Sequence, residues 1–283
     1  MLKNIIDTHV HIWDLKRADY EWLNGDISIL NRSYYLEELT PQIKQANVST
    51  GILVQAANNM DDTNLMLDVA KKSEWIKGVV GWLPLTNPDE SAALLAEKYS
   101  TDPYLKGVRH LIHNESDHTW LLQDTVIESL NYLAAYKIPF DLSCINPFHI
   151  ETALKVAEKI PSLQMVFDHL GQPPIATKQF GLWGDLMKQA ANHPNFFAKI
   201  SGLGTASGNS GGWTQEDLKP YIAFALEEFG TDRCLCGGDW PVCLLSGSYT
   251  EIWQTYQGLL ANLLSMSDQE KVLSTNAINF YHL

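Results

Sequence analysis

Two histidines, His9 and His11, lie one residue apart near the start of this 283-residue sequence. The residues around them are apolar and β-branched, which predicts a strand. Side chains two residues apart on a strand point to the same face, about 6.5 Å from each other. Two imidazoles that converge from one strand can bind a divalent metal or bracket a substrate. This pair is the strongest local signal of chemistry in the sequence.

Further ionisable side chains follow later apolar runs. Asp168 and His169 come directly after Met165–Phe167, and Asp239 follows two glycines. Adjacent strand residues should face opposite sides, so we expect His169 to point into the site and Asp168 to be a structural hydrogen-bond partner. A carboxylate such as Asp239 can deprotonate a water or bind a metal. The candidate catalytic residues are therefore His9, His11, His169 and Asp239.

Five other residues near predicted strand ends are candidate substrate-binding residues. Arg109 can stabilise a developing oxyanion or bind a carboxylate, and His110 follows it. Gln55 places an amide at the end of an apolar strand. Trp13 and Trp240 offer aromatic faces that suit sugar rings and flat lactones. The alternatives are a structural ion pair for Arg109 and ordinary packing or loop positions for the others.

Several polar residues are weaker candidates. His113 fits an ordinary loop histidine, and Asp141 and Ser143 deserve less weight. The segment 207–212 is rich in glycine and serine, which fits either a mobile loop over the site or an ordinary surface loop. A Cys-x-Cys pair inside an apolar run fits free thiols better than a zinc cluster. The four cysteines are Cys144, Cys234, Cys236 and Cys243.

Eight short apolar runs recur along the sequence, and helical periodicity separates them. The runs are Ile5–Ile12, Thr50–Ala56, Lys77–Leu85, Leu105–Ile112, Pro139–Ser143, Gln164–Leu170, Phe196–Leu203 and Cys234–Trp240. Strands that alternate with helices predict βαβ units and a parallel sheet. Eight such units favour an α/β fold of the closed (β/α)₈ TIM-barrel type, in one domain over residues 1–283. A doubly wound open sheet, the alternative, usually has a glycine-rich loop where this sequence has His-Val-His.

In such a barrel the active site lies at the C-terminal ends of the strands, where the candidate residues are found. The formal net charge of −13 disfavours nucleic acid and anionic membranes as partners. No apolar run approaches the ~20 residues of a membrane span, and we recognise no secretory signal. We expect a cytoplasmic protein that acts on a small molecule. Assembly into a homo-oligomer is left open.

Taken in order, the motifs resemble those of the amidohydrolase superfamily, and most of all its amidohydrolase-related branch of sugar and dicarboxylate lactonases. The matching segments are Asp7–Asp14, Gly51–Ala56, Gly78–Trp82, Lys106–His110, Phe167–Pro173, Lys199–Leu203, Gly238–Val242 and Asn276–Tyr281. The resemblance implies a barrel of the metallo-dependent-hydrolase type. It also implies a hydrolase that opens a lactone, such as fuconolactone, rhamnonolactone or a related dicarboxylate lactone.

The resemblance further implies that Asp239 takes a proton from the water that attacks the ester carbonyl. The oxyanion would be met by the three histidines and Arg109, or by a metal. Binuclear relatives have a Lys or Glu on the fourth strand and a His on the fifth, whereas here the fourth strand ends in Arg109 and His110. We therefore do not expect a two-metal site. The resemblance leaves open a single divalent metal, zinc first, with His9, His11, His169 and Asp239 as its ligands, and a site that requires no cofactor.

Two other functions remain as alternatives. A zinc-dependent decarboxylase of the same superfamily would use the same histidines and the same Asp239. A barrel without catalytic activity would bind a small ligand at the same place, because a fold alone does not establish activity. Activity after metal removal distinguishes the lactonase from the decarboxylase, and acid release from sugar lactones distinguishes an enzyme from a binder.

Overall fold

The computed structural model describes residues 4–209 and 211–283, and its eight strands form one sheet in the order of the chain. The strands are β1 Ile6–Val10, β2 Thr50–Val54, β3 Ile76–Gly81, β4 Leu105–His110, β5 Phe140–Leu142, β6 Met165–Phe167, β7 Phe196–Ile200 and β8 Cys234–Cys236. Every consecutive pair of strands is parallel. Because neighbours in the sheet are also consecutive in the chain, β1 and β8 are its two edge strands. The sheet closes into a barrel only if these two edges meet.

The β1 and β8 edges meet just beyond the end of β8. Val10 forms a parallel bridge with Trp240, whose carbonyl accepts a hydrogen bond from the His11 amide at 2.7 Å. The Asp239 amide donates to the His9 carbonyl, also at 2.7 Å. The sheet is therefore closed into a barrel, and the predicted (β/α)₈ fold is confirmed. Closure also brings His9 and Asp239 side by side.

Helices connect the strands and cover the outside of the barrel. They are α1 Leu36–Gln45, α2 Met60–Ala70, α3 Pro88–Leu94, α4 Asp124–Tyr136, α5 Pro147–Lys159, α6 Gly181–Ala191, α7 Leu203–Ala206, α8 Gln215–Phe229, α9 Tyr249–Leu263, α10 Met266–Glu270 and α11 Asn276–Tyr281. Asparagine side chains at Asn59, Asn87 and Asn146 accept hydrogen bonds from the first turns of their helices. These caps satisfy N–H groups that a helix leaves unpaired and so fix where each helix begins. Among the described residues, no helix has the length and apolar character needed to cross a membrane.

A small apolar cluster joins the strands to the last helix. Its members are Ile6, Ile52, Val54, Val80, Val166, Leu235, Ala277, Phe280 and Tyr281, which are all buried. Helix α11 therefore packs against the strands with its two aromatic side chains. The packing places the Tyr281 hydroxyl 2.8 Å from Asp141 on β5.

The buried carboxylate of Asp7 fixes the junction between β1 and β8. Its Oδ1 accepts from the amides of His9 and Gly238, at 2.9 and 2.8 Å. Its Oδ2 accepts from the Tyr249 hydroxyl at 2.8 Å and from the Trp253 indole at 3.2 Å. A Cβ atom at Gly238 would lie 2.7 Å from Asp7 Oδ2, so this close approach needs a glycine. Asp7 thus ties α9 to both edges of the sheet.

Asp62 holds the segment that follows β1 against the end of β2. It is fully buried, and it accepts hydrogen bonds from the Tyr20 hydroxyl and the Ala56 amide, both at 2.8 Å. Burial raises the pKa of Asp62 from 3.8 to about 6, although these hydrogen bonds oppose the rise. Because the folded state binds this proton more tightly than the unfolded chain does, the group stabilises the fold at acid pH and loses that contribution as the pH rises through 6.

We predict that replacing Asp62 with asparagine changes how stability depends on pH. Asparagine stays neutral, so the free energy of unfolding of the wild type should fall by about 2 kcal/mol relative to Asp62→Asn between about pH 4.5 and about pH 7.5. Urea unfolding at several pH values measures this difference. Asp185→Asn on the exposed face of α6 is the control and should show a constant difference. A gap between wild type and Asp62→Asn that is the same at every pH would contradict the prediction.

Candidate active site

The structure brings the four predicted catalytic side chains together at the C-terminal end of the barrel. The Nε2 atoms of His9 and His11 are 3.0 Å apart. Asp239 Oδ1 lies 3.8 Å from the Nε2 of His9 and 3.5 Å from that of His11. The His169 ring centroid is 4.6 Å from that of His9. Their convergence is observed, whereas their roles stay predictions.

His169 and Asp239 reach the site through an uncommon backbone conformation. Both residues have positive φ, 53° and 58°, which few residues other than glycine adopt. Strand β6 ends at Phe167, so strand alternation no longer holds at the next two residues. As a result, Asp168 and His169 both contact His9 instead of facing opposite sides, and that part of our prediction was wrong.

Glycine at position 202 makes room for His169. Gly202 has a φ of 60°, and a Cβ atom there would lie 2.5 Å from His169 Nδ1 and 3.1 Å from Asp239 Oδ2. The neighbouring Ser201 hydroxyl lies 2.9 Å from His169 Nδ1. The turn after β7 therefore both admits the imidazole and fixes its orientation.

Hydrogen bonds on the far sides of the rings determine which lone pairs face the site. His11 Nδ1 lies 2.7 Å from the Val54 carbonyl, which can only accept, so the neutral ring has its proton on Nδ1 and a lone pair on Nε2. Burial lowers the pKa of His9 well below 6.5, and Lys199 and His169 lower it further. Burial also lowers the pKa of His169. His9 and His169 are therefore neutral at neutral pH and can act as ligands or acceptors.

The donor set fits one divalent cation. Asp239 Oδ1 is buried and has no hydrogen-bond partner among the described residues, and it faces the lone pair on His11 Nε2. Two ligands of a tetrahedral zinc lie about 3.4 Å apart, close to the distances of 3.0 and 3.5 Å found here. Donor atoms of His9, His169 and Asp239 all lie within 4.8 Å of one another. A cation between Asp239 Oδ1 and His11 Nε2 would satisfy two acceptors that face each other.

A buried ionic cluster lies behind His9. Lys199 on β7 is fully buried, and its Nζ lies 2.6 Å from Asp141 Oδ2 and 2.7 Å from Asp168 Oδ1. The same Nζ is 3.3 Å from His9 Nδ1. Arg109 Nη1 donates to the other Asp168 oxygen at 2.9 Å. Buried charges need partners of this kind, because the cost of removing them from water is high.

The pKa values follow from this arrangement. Burial opposes ionisation of Asp168, but Lys199, His9 and Arg109 outweigh it and hold the pKa of this carboxyl well below 3.8. For Asp141, burial dominates and, with the nearby Asp168 charge, raises the pKa to about 6 against the pull of Lys199. Burial lowers the pKa of Lys199, yet the two carboxylates raise it above 10.5 overall. Asp168 and Lys199 are thus a firmly ionised pair.

Arg109 combines a structural ion pair with one free donor. Its Nη1 binds Asp168 and lies 3.3 Å from His9 Nε2, and its Nη2 donates to the Gln55 carbonyl. Its Nε is buried and has no partner among the described residues. Arg109 also lines the cavity above the site, which makes its unpaired Nε–H group a candidate donor to a ligand.

A cavity of about 330 Å³ opens over this centre, a size that suits a small molecule. Its lining includes the predicted residues His11, Trp13, Arg109, His169 and Asp239. The remaining lining residues are Trp22, Leu30, Ala56, Leu111, His113, Ser143, Cys144, Ile145, Gln172, Gly202, Thr205, Val242 and Leu245.

Gln55 and Trp240, predicted to bind substrate, do not line this cavity. Gln55 is fully buried, and its amide donates to the Arg109 carbonyl at 3.1 Å and to Asn58 at 3.2 Å. It therefore positions Arg109. Trp240 is buried against Tyr34, with ring centroids 5.5 Å apart, and it serves the closure of the barrel.

His110 does not line the cavity either. Its ring stacks on Trp120 at 4.1 Å and accepts a hydrogen bond from the Trp82 indole at 3.0 Å. Its other nitrogen lies 2.8 Å from Glu115. Because Arg109 points inward, strand alternation turns the next residue, His110, outward. The prediction that His110 binds substrate was therefore wrong.

Sequence reasoning underrated some residues and missed others. Lys199 had a visible signal, a lysine inside an apolar strand, that we did not use. His113 lines the cavity although it fits an ordinary loop histidine by sequence. Of the segment 207–212, Ser210 lies outside the described residues, and the others do not line the cavity. The four cysteines are free and buried, as expected.

We predict that Lys199→Met lowers the free energy of unfolding by about 3–5 kcal/mol, because it leaves buried carboxylates without their cation. Adding Asp141→Asn should return part of this loss, since one unpaired charge is removed. Denaturant unfolding of the single and double variants measures the coupling. Lys188→Met, which breaks a surface pair with Glu228, is the control and should change stability by less than about 1 kcal/mol. Purely additive losses in the double variant would argue against the charge cluster.

Known proteins are similar to this chain in sequence over most of its length, and a solved structure shares its fold. L-fucono-1,5-lactonase of Burkholderia ambifaria is 30% identical over 285 residues, which cover 98% of this chain and 95% of the relative. L-rhamnono-gamma-lactonase of Scheffersomyces stipitis is 22% identical over 75% of this chain and 70% of its own. The crystal structure of an amidohydrolase from Burkholderia multivorans with bound zinc has a TM-score of 0.89 at 27% identity and covers 99% of each chain.

The match to a family model is equally extensive. Residues 6–283 match the model of the amidohydrolase family, so the matched region includes all eight strands and every residue of the site. The chain therefore belongs to the amidohydrolase family.

Proposed function

We propose that this protein is a hydrolase that opens a small sugar lactone of the L-fucono or L-rhamnono type. The observation that carries the proposal is Asp239 Oδ1, a buried carboxylate oxygen without a partner among the described residues, at the floor of a cavity lined by His11 and His169. Such an oxygen is suited to accept a proton from water. The lactonase relatives support the choice of ester substrate.

In the proposed reaction, Asp239 accepts a proton from the water whose oxygen attacks the lactone carbonyl carbon. The Nε–H of Arg109 donates to the carbonyl oxygen, where negative charge develops. The ion pair with Asp168 holds the guanidinium in place for that contact. As the bond to the ring oxygen breaks, Asp239 returns the proton to the leaving oxygen. The product is the open-chain hydroxy acid.

We also propose that one divalent cation, zinc first, is held by His9, His11, His169 and Asp239. When bound, it would supply Lewis-acid polarisation of the carbonyl and a lower pKa for a coordinated water. The zinc in the Burkholderia multivorans structure and the clustered donor atoms of His9, His169 and Asp239 support testing this cation here.

The shape of the cavity suits a lactone with one apolar end. Strand order places the segments after β8, β1 and β2 next to one another, and all their lining residues except Asp239 and His11 are apolar or aromatic: Trp13, Trp22, Leu30, Ala56, Val242 and Leu245. L-Fucono- and L-rhamnono-lactones have a terminal methyl group where the corresponding hexonolactones have a hydroxymethyl group. The apolar side of the cavity can bury that methyl group.

The remaining parts of the proposal concern location and partners. The four cysteines are free and buried, which fits a reducing compartment such as the cytoplasm. A net charge of −13 does not favour nucleic acid or anionic membranes, so a small molecule is the proposed partner.

We predict that Asp239→Asn lowers kcat on L-fucono-1,5-lactone by about 10²–10⁴-fold, because asparagine cannot accept the proton from water. Acid release at constant pH measures the rate, with spontaneous hydrolysis subtracted. The surface variant Asp185→Asn should keep wild-type activity. Full activity in Asp239→Asn would remove this residue from the role of base, and carbon dioxide release from an aromatic acid by the wild type would favour the decarboxylase.

We predict that the protein binds one zinc ion per chain and that His11→Ala weakens binding at least about 10-fold, since it removes a nitrogen from the donor set. Titration calorimetry on chelator-treated protein measures this directly, without any activity assay. The exposed histidine variant His118→Ala should bind zinc as the wild type does. Equal zinc affinity in His11→Ala and the wild type would remove His11 from the donor set.

A further inference from the structure

Three residues that line the cavity each have a buried polar atom without a hydrogen-bond partner among the described residues. The atoms are Asp239 Oδ1, Arg109 Nε and His113 Nδ1. Buried polar atoms are nearly always paired, because an unpaired one costs free energy. The proposed reaction uses the first two atoms but gives no role to His113. A bound ligand is the natural partner for its Nδ1.

The hydrogen bond on the other side of the His113 ring shows what Nδ1 can do. The Ser143 backbone raises the pKa of the ring, which is the effect of a carbonyl oxygen that accepts from a ring N–H. Because Nδ1 has no partner, the donor is Nε2. Burial, with Arg109 adding to it, lowers the pKa of His113 to about 4, so the ring is neutral at neutral pH. Nδ1 is then a lone-pair acceptor.

Neighbouring protein groups do not satisfy this acceptor. The Ser143 hydroxyl donates to the His110 carbonyl at 2.9 Å and accepts from the Ile112 amide at 3.1 Å, so its one proton is already used. A ligand that contacts His113 Nδ1 must therefore supply a hydrogen-bond donor. In a lactone, only hydroxyl groups can do so.

The position of His113 indicates which hydroxyl it contacts. It lies four residues after Arg109, in the short turn Ile112–Asn114 that follows β4. It lines the same cavity as Arg109, His169 and Asp239. In a lactone whose carbonyl oxygen meets Arg109 Nε, the hydroxyl nearest to that carbonyl is the one on the adjacent ring carbon, and it is therefore the first that can reach this turn.

We propose that His113 is a specificity-determining residue, whose Nδ1 accepts a hydrogen bond from the hydroxyl on the carbon next to the lactone carbonyl. The protein then selects 2-hydroxy lactones over lactones that lack this group. The inference rests on the proposed function, because the lactone carbonyl fixes the position of the 2-hydroxyl.

The test compares one lactone with its 2-deoxy counterpart in the wild type and in two variants. In His113→Gln, the side-chain amide nitrogen can take the place of Nε2 and donate to Ser143, but the acceptor at the Nδ1 position is lost. In His113→Asn, the shorter side chain places its amide near the Nδ1 position. His113→Gln should lower kcat/KM on the 2-hydroxy lactone by about 10- to 100-fold and on the 2-deoxy lactone by less than about 3-fold. His113→Asn should recover part of the loss. His193→Gln, at the opposite end of the barrel, should leave both rates unchanged.

Binding of unreactive lactam analogues, with and without the 2-hydroxyl, separates this inference from the proposed function. The wild type should bind the 2-hydroxy lactam about 10- to 100-fold more tightly than the 2-deoxy lactam, and His113→Gln should bind both alike. A wild type that shows this preference yet hydrolyses no lactone would refute the proposed function and keep the binding role of His113. Equal losses on both substrates, or a wild type that does not distinguish the two lactams, would overturn the inference.

Discussion

The buried ion pairs of Lys199 and Arg109 with Asp141 and Asp168 are the constraint on which the rest of the site depends. Two cations and two carboxylates neutralise one another in the barrel interior, where none could be stable alone. Because Lys199 and Asp168 both contact His9 Nδ1, the cluster holds that ring while its Nε2 faces His11 and Asp239. The reactive groups are thus oriented from behind by buried charges.

The fold was predictable because its signals are repeated. Eight apolar runs mark eight strands, and their alternation with helices leaves little choice other than a barrel. The predicted runs are nevertheless too long at their C-terminal ends: the last was predicted as Cys234–Trp240, whereas β8 ends at Cys236. The chain leaves the strand before it reaches the site, and the apolar pattern does not record that change of direction.

Within the site, sequence reasoning succeeded where strand alternation governs the side chains. It placed His9 and His11 on one face of β1, where the structure has them. It placed His169 in the site but failed to place Asp168 beside it, because a left-handed backbone replaces alternation there, and it failed at Trp240, whose ring turns to the barrel closure. His113 was undervalued because its significance depends on one unpaired nitrogen. Such a property comes from the arrangement of neighbours and not from residue type.

The hydroxyl of Tyr281 makes hydrogen bonds to both oxygens of Asp141, across 140 positions of the sequence. Asp141 in turn shares Lys199 with Asp168. The ionic cluster is therefore complete only after α11 has docked on the strands, even though the strands that bear its charged members come earlier in the chain. During synthesis on the ribosome, a nascent barrel that lacks α11 would expose the ionic cluster at the end of the barrel that α11 covers. Docking of α11 would then be the step that completes the hydrogen bonds of Asp141 and, with them, the ionic cluster behind His9.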